Sequence, residues 1–154
     1  MAGQSEVKLK QLGIELPSAP APAANYVPFV QSGNLLFVAG QIPNWNGELK
    51  WIGKVGKDFT VDQGKEAARL VGLNILAQAK AALGDLDRIV RCVKLGGFVN
   101  CVDGFEQQPF VINGASDLMV EVLGDKGRHA RFAVGVNALP RNVAVEVDAV
   151  FEVR

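Results

Sequence analysis

The sequence predicts an α+β domain, a single mixed six-stranded sheet with two long helices on one face. Three observations predict it. Residues 130–137 and 143–153 alternate with period two: Phe132, Val134 and Val136 against Arg131, Ala133, Gly135 and Asn137, then Val143, Val145, Val147, Ala149 and Phe151 against Ala144, Glu146 and Asp148. Two other stretches read as long helices, the first with apolar residues at helical spacing. Their order along the chain reads strand-strand-strand-helix-strand-helix-strand-strand, and two helices can cover only one side of six strands. The bare side then calls for burial against copies of itself.

Each element has its own signal. Residues 5–16 read as a short helix, with Ser5 as N-cap and Leu9, Leu12 and Leu16 on one face. The Ala/Pro run at 17–22 cannot continue that helix and reads as an extended tether. The expected organisation is an N-terminal helix and tether at 1–24, then one domain at 25–154. Strands are expected at 27–31 and 35–40 around the Ser32-Gly33-Asn34 turn. After a turn at Trp45-Asn46-Gly47, a third strand is expected at 49–55, weakened by Gly53. A long helix begins with Asp62 as N-cap, buries Ala68, Val71, Ile75, Ala79 and Ala82, and closes at Gly84. A strand at 89–99, interrupted by Gly96-Gly97, leads to a second helix at 105–123 with Pro109 in its first turn. The last two strands are expected to pair around a Leu-Pro-Arg-Asn connection.

Composition narrows the function. A chain of 154 residues, 49% hydrophobic and 21% charged, is long enough for one real core. Sixteen basic residues balance sixteen acidic ones and are spread along the chain, against a dedicated nucleic-acid binder. One His and two Cys do not make a zinc site, and Cys92 and Cys101 do not suggest a disulfide framework. No stretch approaches the ~20 apolar residues of a membrane span. The N-terminus lacks a secretion signal, so the expected location is cytoplasmic.

Arg131 stands among small residues, and a guanidinium suits a carboxylate gripped by two parallel hydrogen bonds. If the two terminal strands pair directly, Arg131 and Glu146 share one face roughly 13 Å apart at ~3.3 Å per residue. An intervening strand would separate them further. At such a distance they either cooperate on a ligand and its water or each meets a neighbouring subunit.

The run Ala130-Arg131-x-x-Val134-x-Val136, then Leu139-Pro140, then Val145-Glu146-Val147, resembles the C-terminal signature of the Rid family, also called YjgF or L-PSP. The block from Asn25-Tyr26-Val27-Pro28 to Ala39-Gly40-Gln41-Ile42-Pro43 is similar to its N-terminal strand pair, and Asn74 and Asn113 also fit. The resemblance runs from about Tyr26 to Arg154, in order.

It implies a chorismate-mutase-like fold, a homotrimer with ligand sites between subunits, and hydrolysis of 2-imino acids and their enamine tautomers to 2-oxo acids and ammonia without a cofactor. It implies that Arg131 binds the substrate carboxylate and Glu146 positions the attacking water. Tyr26, Ala39, Gly40, Asn113 and Ala133 would line the pocket. Ala39 and Ala133 stand where the family's archetype has Ser and Cys, His129 where it has Pro, and Trp45 and Trp51 occupy a longer loop. Asn113 could equally be a structural amide and Tyr26 a packing residue. His129, near Arg131, admits a proton-transfer role, and Cys101 a reactive thiol. A non-enzymatic carboxylate-binding trimer uses the same residues. A ribonuclease is disfavoured by the neutral charge and by the lack of aromatics beside basic residues.

Overall fold

The computed structural model describes residues 3–22 and 24–154; residues 1, 2 and 23 of the expected N-terminal segment lie outside the described residues. The first helix, α1 (Gln4–Gln11), is shorter than its leucine spacing suggested. Leu9 is buried, but Leu12 lies past the helix end and is exposed. Ser5 does not cap it. The cap is Gly3, which has no side chain to offer, and Asp87 supplies the acceptor from afar. Its carboxylate accepts from the Gln4 amide at 2.6 Å and the Ser5 amide at 2.9 Å. These amides, that of Ser5 above all, hold the Asp87 carboxyl below the usual carboxylate range. Beyond α1, Ile14 and Leu16 pack against the core, so this segment is laid down on the domain.

The long helix α2 (Val61–Leu83) starts one residue before the expected cap. Thr60 and Gln63 form a reciprocal capping box, which satisfies two end amides and stabilises the start by about 1 kcal/mol. Gly84 closes the helix in left-handed conformation at φ 77°, as its position implied. The second long helix, α3 (Gln108–Leu123), carries Pro109 in its first turn. Phe105, expected inside it, precedes it because Gln107 is the cap.

Among the described residues the sheet has five strands rather than six: β1 (Phe29–Ser32), β2 (Leu35–Gln41), β5 (Ile89–Asn100), β6 (Ala130–Val136) and β7 (Val145–Val153), in the order β1-β2-β7-β5-β6. The missing strand is the one expected at 49–55. Its start pairs instead in a separate two-stranded ribbon, β3 (Asn44–Trp45) with β4 (Glu48–Leu49). The rest forms no strand and makes isolated bridges, with Trp51 at φ 54° and Gly53 at φ 143° breaking the extended backbone. Trp51 packs edge-on against Phe59, ring centroids 5.4 Å apart.

The terminal strands do not pair with each other. β6 runs parallel to β5, whereas β7 is antiparallel to both β5 and β2. A parallel neighbour needs a crossover, and α3 provides it between β5 and β6, leaving β6 at the sheet edge. The chain then crosses the end of β5 to insert β7 beside it. Buried Asn100 clamps that crossing, its Nδ2 donating to Asn142 Oδ1 and to the Val143 carbonyl, both at 3.1 Å.

One sheet face packs on the helices around Leu36, Leu76, Leu95, Ile112 and Phe151, all fully buried. Cys92 belongs to this core, where burial pushes its thiol up to about 12, and Cys101 is also buried. The open face carries Phe37 and Val134, 43% exposed each, and the Phe98–Phe132 pair. No helix of the described residues is long and apolar enough to cross a membrane.

Candidate active site

Register decides where the two charged candidates point. Arg131 pairs with Leu95, and Leu95 with Ala149, a residue of the helix-covered face. Glu146 pairs with Phe98, on the open face. Arg131 and Glu146 therefore lie on opposite faces, not on one. The shared-face expectation rested on direct pairing of β6 with β7; inserting β5 shifts the parity by one residue. Two ladder spacings and three residues of offset put their Cα atoms roughly 14 Å apart.

The expected site residues sort into two groups. The first is a cleft of about 210 Å³ at the open face, lined by Tyr26, Gly40, Glu146, Pro140 and Arg141 with Gln41 and Gln78. A ladder irregularity between Val38 and Gln41 brings Gly40 against Glu146, where an added Cβ would collide with the carboxylate. Burial, and then the neighbouring Asp148 charge, push the Glu146 carboxyl above the usual glutamate range. Asn74 of α2 donates to the Ile42 and Asn44 carbonyls at 3.1 and 2.8 Å, fixing the loop that forms the cleft floor. The extended segment at Pro20, Ala21 and Pro22 forms another wall, tied down by buried Gln78 Nε2 donating to the Pro20 carbonyl at 2.7 Å. Ala39 is not in this cleft. It borders an adjacent groove with Val27, Phe37 and Asp148.

The second group surrounds Arg131 where α3 meets β6. Arg131 Nη1 donates to Ser116 Oγ at 3.0 Å, and Nη2 to the Pro109 carbonyl at 3.2 Å. Asn113 falls between these two anchors on the same helical stripe and also borders a groove with Thr60, Lys65 and Phe110. Ala133, two residues on from Arg131, lies on the same side and packs against the core. Ser116, Gln78 and Arg141 escaped the sequence reading. Ser116 alone had a signal, standing three residues after Asn113 on the stripe that faces Arg131.

The chemistry is thus divided: a carboxylate able to accept a proton in one group, a guanidinium able to grip an anion in the other. Comparison with known proteins bears on the family. The family model described as "YjgF/chorismate_mutase-like, putative endoribonuclease" matches residues 6–152. Protein TCP17 of Trypanosoma cruzi is 50% identical over 152 residues, covering 98% of this chain and 95% of its own. The crystal structure of Atu1372 from Agrobacterium tumefaciens, a protein of unknown function, is 53% identical, with a TM-score of 0.91 over 97% of this chain and 92% of that one. Escherichia coli TdcF, solved with bound serine, is 25% identical, with a TM-score of 0.65 over 91% of this chain and 96% of that one. From strand order to sequence match, the chain is a member of the YjgF/RidA, chorismate mutase-like family, in a divergent subgroup with Atu1372 and TCP17.

Proposed function

We propose that the protein hydrolyses reactive 2-imino acids and their enamine tautomers to 2-oxo acids and ammonia, in clefts between copies of the chain. The observation that carries this reading is the division of the site. Tyr26, Gly40 and Glu146 form one half, and Asn113, Arg131 and Ala133 the other, on opposite sides of one sheet. One chain cannot bring both halves to one small molecule. In a homotrimer, the open face of one copy meets the β6 edge of the next. That a relative was solved with serine, an α-amino acid, supports a ligand with an α-carboxylate.

In this scheme Arg131 holds the substrate carboxylate and orients the imine carbon. Glu146 takes a proton from water as its oxygen adds to that carbon and passes the proton to the imine nitrogen, giving a carbinolamine. It then takes the hydroxyl proton and passes it to the same nitrogen as the carbonyl forms and ammonia leaves. The raised proton affinity of Glu146 suits a base that must also act as acid. The imine carbon is already electrophilic, so orientation and proton shuttling by one carboxylate suffice. Binding without turnover is the second reading, favoured by the loss of two polar groups at Ala39 and Ala133. Residues 25–154 would form the trimeric unit, and the segment before them one wall of the Glu146 cleft.

The test is complementation. Arg131→Ala and Glu146→Gln should each be inactive on 2-iminobutyrate generated in situ. Unfolding and refolding the two together in equal amounts should restore turnover at roughly a quarter of all sites, one in each mixed trimer. A mixture as inactive as its components would exclude a shared site. A wild type no faster than solvent would exclude the enzyme.

A further inference from the structure

The Arg131 half-site contains a hydrogen-bonded chain that carboxylate binding by itself does not require. Arg131 Nη1 lies 3.0 Å from Ser116 Oγ, which lies 2.9 Å from His129 Nε2, while His129 Nδ1 lies 2.5 Å from the Gly127 carbonyl oxygen. What each group can do orders the protons. A backbone carbonyl only accepts, so the ring hydrogen sits on His129 Nδ1. A guanidinium only donates, so Ser116 Oγ accepts from Arg131 and turns its own hydrogen toward His129 Nε2. The neutral imidazole offers its bare nitrogen there, and each of these hydrogens has one acceptor. An imidazolium would instead aim a second donor at Ser116 Oγ and leave the hydroxyl hydrogen without an acceptor in the chain. The far end is fixed, since buried Gly127 packs so closely on Met119 that an added Cβ would collide with the Met119 carbonyl.

We infer that Ser116 and His129 are positioning residues for Arg131: a chain of directed hydrogen bonds from the Gly127 carbonyl holds the guanidinium ready for a substrate carboxylate. The Pro109 carbonyl holds the other terminal nitrogen, so both ends of the fork are fixed and its remaining N–H groups stay available. A side chain ordered before binding loses less freedom on binding, which appears as affinity. Histidine fits this place because it alone accepts at one ring nitrogen while donating from the other. The inference rests on the reading of Arg131 as the carboxylate anchor, but the proton order can be measured without it.

His129 is the only histidine in the chain, so its ring nitrogens are read by ¹⁵N NMR without assignment. The full-length wild type should show a protonated Nδ1 and a bare Nε2 that accepts a hydrogen bond. Ser116→Ala should keep the hydrogen on Nδ1, held by the Gly127 carbonyl, but shift the Nε2 resonance as its donor is lost. In titrations with sodium pyruvate, Ser116→Ala and His129→Ala should each weaken binding roughly threefold to tenfold, the loss of one hydrogen bond. Ser116→Thr, which keeps the hydroxyl, should restore it. A residue that merely supports the fold would lower the melting temperature without moving pyruvate affinity in a folded variant. Hydrogen on Nε2 in the wild type overturns the relay whatever the variants do. Unchanged pyruvate affinity in both variants overturns its orienting role. The expected tautomer in a wild type that binds no pyruvate supports the relay and removes only the carboxylate reading of Arg131.

Discussion

The Glu146 cleft and the Arg131 edge are built in opposite ways from the same chain. The cleft gathers residues from the Pro20–Pro22 strap, the Tyr26 loop, β2, α2, the Pro140–Arg141 turn and β7. The Arg131 edge draws its partners from one stretch, Pro109 and Ser116 on α3, then His129 and Arg131 at the start of β6. The carboxylate gains proton affinity by losing water, while the guanidinium stays half exposed and is fixed by hydrogen bonds. A site that must move a proton gains from a confining wall, and one that must grip an anion gains from rigid acceptors behind the cation. The first depends on long-range packing, the second on a crossover helix and its strand.

Substitutions can break this comparison, beginning with the largest effect. Glu146→Gln should lose about 10²–10⁴ of turnover, the range of general acid–base catalysis, yet keep its pyruvate affinity. Arg131→Ala should weaken pyruvate binding by roughly tenfold to a hundredfold, and Arg131→Lys nearly as much, since one ammonium does not reproduce the fork. Single-turnover kinetics beside calorimetry separates the two, and parallel losses in both measurements would merge the half-sites into one function.

Gly40→Ala sharpens the acid half alone. Its methyl would displace the Glu146 carboxylate, so turnover should fall by up to ~10²-fold with pyruvate affinity kept. Equal turnover in this variant would remove Glu146 from the reaction. Smaller is the effect of Gln78→Ala, which frees the Pro20 carbonyl and loosens the strap. It should change the preference between small and bulky imino acids a few-fold, leaving the affinity for pyruvate intact.

The smallest effect is on stability. The folded Glu146 carboxyl binds its proton more readily than the unfolded one, so its ionisation costs folding free energy as pH rises above about 4.5, the ordinary value. Glu146→Gln lacks that cost. It should melt a few degrees higher than wild type at neutral pH, and the gain should vanish below about pH 4.5. A variant that melts lower at neutral pH would mean the ionised carboxylate has a favourable partner in the assembled protein.

How much was legible in the sequence follows the range of the forces involved. Helical spacing located α2, because i, i+3 and i+4 contacts are local. Gly84 and Pro109 fell where helix ends place them. The ribbon that replaced the third strand was not legible, since left-handed backbone at Trp51 is held by packing on Phe59 and not by its own preference. Nor was α1 legible in full, as its cap is a carboxylate more than eighty residues away at Asp87.

The site residues show the same division. The sequence by itself determined which chemistry is present: a lone Arg beside small residues on one strand, a Glu alternating with valines on another, and the signature that ties them to a family. Only the tertiary structure decided that they stand on opposite faces. Alternation assigns a residue to one of two faces but carries no information on which strand lies next to it. That neighbour was set by the crossover through α3, which placed β6 outside β5, turned Arg131 toward Ser116 and left Glu146 on the open face.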